Sequence, residues 1–255
     1  MIHALVRLAA VFALATLQTI PAVPAAAPSA RPFPVGESAQ YDVKYGFIGA
    51  GSASMRVAGI DTVRGIPAYH FVFTVSGGVR MLGLTVRDTL QSWADTATLF
   101  SLRFHQDQRE AGKTRVKRYE IYPDRRVYVE PGKKEVPSVE NPLDDASFLY
   151  FVRTVKLEIG QTLEFNNYFK PESNPVKIRV LRRDTIDVPA GRFATIVVQP
   201  IIKTTGIFSE GGEAQIWLSD DSARLVVQMD AKFAIARLHL LLKSFEGSTT
   251  RPLPR

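Results

Sequence analysis

Two adjacent acids, Asp144 and Asp145, are the residues of this chain whose type and spacing come closest to a catalytic pair. They lie in the stretch "ENPLDDASFLYFVRTV", residues 140–155, and a nearly uncharged segment follows them. Paired carboxylates act as general acid and base when their surroundings separate their pKa values. The same acids would also stabilise the first turn of an α-helix, because negative charge complements the exposed backbone N–H groups there.

The neighbouring residues favour the helix interpretation over the catalytic one. Asn141 is a preferred N-cap residue, and Pro142 suits the first helical position, where a missing N–H costs nothing. The sequence therefore predicts one short buried helix near 142–155, with Asn141, Asp144 and Asp145 as its cap. The catalytic alternative keeps the two acids, together with Asp88, as candidates for a hydrolase that acts on cell-wall material.

The apolar residues of this segment recur at helical spacing, so the helix must be covered by a curved sheet. Its lone charge after the acids is Arg153. An unpaired buried charge is very costly, and we therefore expect Arg153 to have a carboxylate partner or a path to solvent.

Other catalytic and metal-binding patterns are weak. His70, His105 and His239 fall on separate predicted strands without a short metal-ligand spacing, and the chain contains no cysteine. There is no G-x-S-x-G nucleophile elbow, although a Ser–His–Asp set is defined by geometry and stays open. We predict no catalytic residues, no metal site and no cofactor.

The elements that must position these residues are mainly β-strands. Stretches such as "AQYDVKY", "AYHFVFTV" and "VKIRVLRRD" alternate apolar and polar residues, which is typical of strands with one buried face. Phosphate-binding loops rich in glycine join a strand to a helix. The stretches "GAGSAS" and "SEGGEA" do not, and they are interpreted as hairpin turns. The sequence predicts an antiparallel meander of about twelve strands, curled into a barrel or half-barrel or split into two packed sheets.

The amino-terminal segment has the three parts of an export signal. Arg7 supplies a positive start, Leu8 to Leu17 form a short apolar run, and the small residues Val23 and Ala25 precede a cleavage point. Residues 1–25 are therefore predicted to be a cleaved signal peptide, followed by a flexible lead-in over 26–34, one β-rich domain over 35–247 and a tail over 248–255.

This leader predicts a periplasmic or secreted protein. The apolar run is too short to cross a bilayer, and no comparable run follows, so no transmembrane span is expected in the mature chain. Because cysteine is absent, a lipid-modified amino-terminal cysteine is excluded and the protein is not expected to be a lipoprotein.

A formal net charge of +7 favours anionic partners, namely lipid head groups or an anionic glycan. Alternation within "TRVKRYEI" places Arg115, Lys117 and Tyr119 on one face, so Arg115 and Lys117 are candidate contact residues. A solvated face that blunts an edge strand is the alternative. Nucleic acid is not expected as a partner, because an exported chain rarely meets it and the aromatic residues form no stacking platform.

A second candidate contact lies in "SGGVRMLGLTV". Met81 and Leu82 stand beside glycines there, so they could form a hydrophobic loop tip that inserts among lipid tails or closes over an apolar pocket. A strand that continues into the core is the alternative. Arg153, at the end of the predicted helix, completes the set of candidate ligand contacts.

Three stretches together resemble a known family. They are "FPVGESAQYDVKYGFIGAGSASM", "NPLDDASFLYFVR", and "DVPAGRFATIVVQP" followed by "AQIWLSDDSARLVVQM". In order and spacing the chain is similar, over roughly Phe33 to Phe245, to DUF3108, a family of exported bacterial proteins without an assigned function. The resemblance implies a β-rich exported protein with no established active site, and an architecture similar to the half-barrel lipid and lipoprotein carriers of the periplasm. The helix start "NPLDDAS" departs from the more frequent Asp-Pro-Leu-Ser arrangement of the family.

Two functions follow from these observations. The leading hypothesis is a non-catalytic envelope protein whose curved sheet holds an apolar or amphipathic, lipid-like ligand, with the basic strands near the mouth. The rival hypothesis is an envelope scaffold that binds a protein or a glycan on its outer surface, which requires a filled interior and an exposed aromatic or basic patch.

Overall fold

The computed structural model of the protein describes residues 32–79, 84–110, 112–201, 214–233 and 236–254. In this part of the chain, fourteen strands and one α-helix account for most of the regular structure. The strands β1 to β14 occupy, in order, Ser38–Tyr45, Ile48–Val63, Ile66–Val79, Leu84–Asp95, Ser101–Glu110, Lys113–Tyr122, Val127–Val129, Val136–Pro137, Thr162–Phe165, Val176–Val188, Gly191–Ile201, Gln215–Ser219, Val226–Phe233 and Ala236–Glu246, and the helix α1 occupies Asp145–Val152.

All the strands belong to one antiparallel sheet. Its order is β8-β7-β6-β5-β4-β3-β2-β1-β14-β13-β12-β11-β10-β9, so the chain meanders from the centre to one edge, crosses over, and meanders back from the other edge. The sheet is curled but not closed, which confirms the prediction of a mainly β, half-barrel architecture. The crossover from β8 to β9 carries α1 into the concave side of the sheet.

Period-two burial produces the concave face. In β1 the side chains of Ala39, Tyr41, Val43 and Tyr45 are buried, while their neighbours are exposed or half-buried. Because successive side chains of a strand point to opposite faces, the alternation seen in the sequence becomes one inner apolar face.

The predicted helix is shorter than expected, and its N-cap is Asp144 instead of Asn141. Both oxygen atoms of Asp144 are engaged inside the protein, whereas Asn141 is exposed. A capping box joins Asp144 to Ser147, because each side chain accepts a hydrogen bond from the backbone N–H of the other. Leu143 pairs with the crossover segment instead: its N–H donates to the carbonyl oxygen of Asn167 at 2.6 Å, and its carbonyl oxygen accepts from the N–H of Phe169 at 3.0 Å.

Aromatic rings fill the space between α1 and the sheet. The ring of Tyr150 on α1 stacks on that of Phe71 in β3, with 3.7 Å between the ring centroids. Phe33 meets Tyr150 edge-on at 5.0 Å and is buried. Phe33 lies in the segment expected to be a flexible lead-in over 26–34, and its large aromatic side chain packs in the core. The domain boundary at residue 35 stays a prediction.

The two ends of the curled sheet differ. At the helix end, α1 packs against β3 and β4 close to the amino end of β1. The opposite end, here called the tip end, carries the β1–β2 turn at Gly46 and Phe47, together with the amino ends of β4, β6 and β14. The interpretation of "GAGSAS" as a turn is wrong, because Gly49 to Ser54 lie within β2. Most of "SEGGEA" lies outside the described residues.

Candidate functional site

The inner face of the sheet changes character from strand to strand. Two sets of directly paired residues run across seven strands, from β14 through β1 to β6, and a direct pair shares one face of a sheet. Row A consists of Leu242, Tyr41, Ala53, Val75, Asp88, Gln108 and Arg115. Row B consists of Phe245, Ala39, Met55, Phe73, Leu90, Gln106 and Lys117.

Row A is apolar on β14 to β3 and polar on β4 to β6, whereas row B stays apolar through β4 and is polar on β5 and β6. Tyr41 and Met55 are buried in the core, Val75 and Phe73 are half-buried, and Arg115 at the end of row A is exposed. The concave surface therefore has an apolar wall and a polar, basic wall that meet along β3 and β4.

The apolar wall is filled near the helix. A cavity of about 10 Å³ remains beside Tyr41, Tyr150 and Val226, which is room for roughly one water molecule. Burial raises the pKa of the Tyr41 and Tyr150 phenols well above their usual range, so both stay neutral. Phe73, Val75 and Leu90 pack against the core but are only half-buried, although they belong to the inner face.

The polar wall is held by hydrogen bonds to the helix and to the crossover segment. Asp145 accepts a hydrogen bond from the Tyr168 hydroxyl at 2.9 Å and another from the Gln106 amide at 3.1 Å. Lys170 donates from Nζ to the Tyr119 hydroxyl at 3.1 Å. Burial raises the pKa of the Asp145 carboxyl, and the Tyr168 hydrogen bond and the Lys170 charge oppose that rise.

An ion-pair group continues the polar wall beyond Tyr119. Lys117 lies 3.0 Å from Glu130, and Lys133 lies 2.9 Å from the same carboxylate. The hydrogen bond to Glu130 raises the pKa of the Lys117 ammonium, and the hydrogen bond from Lys133 lowers that of Glu130. One carboxylate serves two ammonium groups, so this group keeps one positive charge in excess, and Arg115 adds another.

Asp144 is a structural acid. It is fully buried, and Oδ1 accepts hydrogen bonds from the N–H groups of Ala146 and Ser147, each at 2.9 Å, while Oδ2 accepts from the Ser92 hydroxyl at 2.6 Å. Burial raises the pKa of its carboxyl from 3.8 to about 6, against the opposing effect of these hydrogen bonds. With no exposed oxygen, Asp144 has no access to a substrate.

Arg153 is buried at the helix end and does not join Arg115 and Lys117. Its Nη1 and Nη2 lie 2.6 and 2.9 Å from the two carboxylate oxygens of Glu37, and Nη2 also donates to the carbonyl oxygen of Ala223. The guanidinium also lies 4.7 Å from the ring centroid of Phe33. These contacts supply the carboxylate partner that was expected for Arg153. Its role as a ligand contact stays a prediction.

The remaining predicted residues fall in different places. Arg115 and Lys117 both lie on the concave face, next to each other in rows A and B. Met81 and Leu82 lie outside the described residues. The sequence did not indicate Gln106, Tyr168 or Lys170, because their neighbours carry no motif and only the curl of the sheet brings them to Asp145 and Tyr119.

The three histidines of the predicted strands contact aromatic or acidic neighbours. His70 stacks on Trp93 with 4.4 Å between ring centroids, and His105 meets the same indole edge-on at 4.8 Å. Burial and the nearby Arg118 and Arg103 charges lower the pKa of His105 to about 4. His239 contacts Asp230 instead. Within the described ranges, no three His, Asp or Glu side chains are grouped in a way that could hold a metal ion.

The family model described as "Protein of unknown function (DUF3108)" matches residues 40–242. The chain belongs to the DUF3108 family. The match spans β1 to β14 and therefore includes both walls of the concave face and α1. No curated protein matches this DUF3108 chain in sequence.

Three solved structures resemble the fold. A β-barrel-like protein with the DUF1849 domain from Brucella abortus is 9% identical, with a TM-score of 0.53, and the match covers 84% of this chain and 98% of that one. A candidate lipoprotein from Parabacteroides distasonis is 10% identical at a TM-score of 0.37, with 84% and 98% covered. A candidate exported protein with a YmcC-like fold from Bacteroides fragilis is 12% identical at a TM-score of 0.28, with 84% and 97% covered.

The similarity to the DUF1849 protein supports the fold alone, since fold does not imply function. In the described part of the DUF3108 chain, no helix has both the length and the apolar character that a bilayer-spanning segment needs.

Proposed function

We propose that this DUF3108 protein is an exported, non-catalytic envelope protein that binds an amphipathic ligand with an anionic head group on the concave face of its sheet. The proposal rests on the change from apolar to polar and basic side chains along rows A and B. A ligand that lies across them would place its apolar part against Phe73, Val75 and Leu90, and its head group against Lys117 and Arg115.

The half-burial of the apolar residues supports this role. Phe73 and Leu90 pack against the core but stay half-buried, so a ligand could cover their remaining surface and gain roughly 25 cal/mol for each Å² of apolar surface removed from water. Ligand sites combine such apolar linings with a few well-placed polar groups, and rows A and B have both.

The basic wall supports the anionic head group. Lys117 is positioned by Glu130, and Arg115 is exposed beside it on the same face. A phosphate or carboxylate would form charge-assisted hydrogen bonds with both side chains, which are stronger than neutral hydrogen bonds. Export rests on the leader predicted over residues 1–25, and the boundaries of the β-rich domain at 35–247 remain part of the proposal.

Calorimetric titration with single-chain amphiphiles tests the proposal. We expect lysophosphatidylglycerol, below its micelle concentration, to bind more tightly than neutral lysophosphatidylcholine. The double variant R115Q/K117Q should weaken binding of the anionic probe at least about tenfold, because charged hydrogen bonds contribute roughly 1.5–3 kcal/mol each.

Arg126→Gln is the matched control. Arg126 is exposed and pairs with Glu140, away from rows A and B, so its loss should leave binding unchanged. Failure of both amphiphiles to bind, or equal affinity of the double variant and the wild type, would refute the proposed function.

A further inference from the structure

The β1–β2 turn exposes two large apolar side chains. Phe47 is fully exposed and Ile48 is 54% exposed, and Phe47 is the one aromatic residue among the exposed large apolar residues of the described ranges. Gly46 has φ +59° at the first central position of this two-residue turn, as a type II′ hairpin requires. The turn geometry accounts for the glycine but sets no requirement for an aromatic residue beside it.

The β1–β2 turn extends beyond the neighbouring strand β3, because the pairing of β2 with β3 stops before the turn is reached. Their pairing ends at Gly51 and Gly77. Ile48 and Gly49 pair with β1 alone, and Ala50 is the extra residue of a bulge between Gly49 and Gly51. At the point of separation the backbones are so close that a Cβ on Gly77 would lie 1.9 Å from the carbonyl oxygen of Ala50.

The other side of the turn is held firmly. Tyr45 still pairs with Leu238 of β14, and the N–H of Gly46 donates to the carbonyl oxygen of Arg237 at 2.8 Å. Phe47 is therefore presented on a supported hairpin with no protein surface over it.

Exposed cations surround the same end of the sheet. The strand ends at the tip end carry five exposed basic residues, Lys44, Arg87, Arg109, Lys113 and Arg115. Arg87 and Arg109 are directly opposite each other on β4 and β5, an arrangement that destabilises a sheet unless an anion is near.

Two acids near these cations bind other side chains. Asp107 holds Arg118 with two hydrogen bonds of 2.7 and 3.0 Å, and Asp42 pairs with Lys243 at 3.0 Å. Asp88 and Glu110 also lie at this end, but the five exposed basic residues outnumber them, so the tip end keeps a net positive charge that attracts an external anion.

We propose that the tip end docks on an anionic lipid bilayer, with Phe47 and Ile48 inserted at the head-group boundary. A bilayer accepts an isolated aromatic side chain without a preformed pocket, and aromatic rings favour this boundary. It also offers many mobile anionic head groups, which match a broad set of cations without fixed geometry, at about 1 kcal/mol for each basic residue near the surface. This docking goes beyond ligand binding, since it needs no occupant on the concave face.

Vesicle flotation with the full-length protein tests the docking. We expect the wild type to float with vesicles of phosphatidylglycerol and phosphatidylcholine, to bind pure phosphatidylcholine far less, and to be released by added salt. Phe47→Ser should weaken binding roughly tenfold or more, because insertion of a Phe side chain is worth about 1.5–3 kcal/mol. Phe47→Trp should preserve binding.

Ile66→Ser is the matched control, since Ile66 is a similarly exposed apolar residue in the β2–β3 hairpin at the helix end and is 37% exposed. It should bind vesicles like the wild type. Phe47→Ser should also keep the wild-type unfolding midpoint, because Phe47 has no buried contacts to lose.

Three results would overturn the docking: equal binding of anionic and neutral vesicles, unchanged binding by Phe47→Ser, or equal losses in Phe47→Ser and Ile66→Ser. A Phe47→Ser variant that converts a dimer to a monomer in analytical ultracentrifugation, while vesicle binding persists, would assign the tip to self-association and also refute the proposal. R115Q/K117Q distinguishes the two proposals, because it should lose the single-chain probe while the Phe47-dependent part of vesicle binding remains.

Discussion

The helix end and the tip end use the same kinds of side chain in opposite ways. At the helix end, Arg153 is 6% exposed and its guanidinium is shared between Glu37, a backbone carbonyl and an aromatic ring. At the tip end, five basic residues and Phe47 lie in solvent and outnumber the acids of the same strand ends.

This difference separates residues that hold the fold from residues that remain available to a partner. Asp144 and Arg153 are the charged residues that look most functional in the sequence, yet their hydrogen bonds are made to the protein itself. Arg115, a candidate contact in the sequence, and Phe47, which no sequence pattern marked, are both exposed and therefore remain available to a partner.

The buried ion pair gives the largest expected effect. Glu37→Ala should lower the free energy of unfolding by about 3–5 kcal/mol, because it leaves the Arg153 charge buried without its partner. Asp42→Ala, which breaks the exposed pair with Lys243, should cost about 1 kcal/mol or less. Urea denaturation measures both values.

The double variant E37L/R153M sharpens this prediction. It removes both charges together and should recover most of the loss, since apolar residues of similar volume often replace a buried ion pair without cost. Equal losses in Glu37→Ala and Asp42→Ala would show that the helix end depends on its ion pair no more than an exposed surface does.

The second prediction concerns pH and Asp144. The folded pKa of its carboxyl, about 6, lies above the ordinary value of 3.8, so the folded state binds the proton more tightly than the unfolded state does. The wild type should therefore gain about 2 kcal/mol relative to Asp144→Asn as pH falls from about 7 to about 4, and lose it again as pH rises through 6. Asparagine is a suitable comparison because it retains N-cap ability.

Denaturation of both proteins across this pH range provides the measurement. Parallel stability curves would mean that Asp144 titrates like an exposed acid, which would contradict its complete burial. The difference between the two curves isolates Asp144 from the other titrating groups.

The smallest expected effect comes from the point where β2 and β3 separate. Gly77→Ala should destabilise the protein by roughly 1–2 kcal/mol, because its Cβ would clash with the backbone of Ala50. Gly59→Ala is the control: its Cβ would have nothing within 4 Å, and stability should change by about 1 kcal/mol or less. Thermal unfolding compares them, and identical midpoints would show that the close approach at the tip end is not maintained in solution.

Most of the fold could be predicted from local pattern. The alternation in "AQYDVKY" became β1, and the antiparallel meander followed from the short distances between strands. The glycines of "GAG" misled the interpretation, because glycine marks both turns and places where two backbones approach closely, and only the pairing of Gly51 with Gly77 distinguishes these cases.

The site could be predicted only in part. Alternation placed Arg115 and Lys117 on one face, but the identity of that face depended on their pairing with Gln108 and Gln106. Asn141 and Asp144 are both good N-cap residues, and the choice between them depended on Ser92 and Ser101, which a distant hairpin supplies. The exposure of Phe47 had only its position next to Gly46 as a signal.

The sequence by itself determined the strands, the presence of a helix after the acid pair, and membership in the DUF3108 family, because these depend on side-chain period and local backbone preference. The tertiary structure decided which charged side chains are paired inside the protein and which stay exposed to a partner. Glu37 and Arg153 are 116 residues apart in the chain, and their contact exists only because the curled sheet brings the start of β1 to the end of α1. Burial, and with it the energy of a charge, is a property of the folded neighbourhood and not of the residue type.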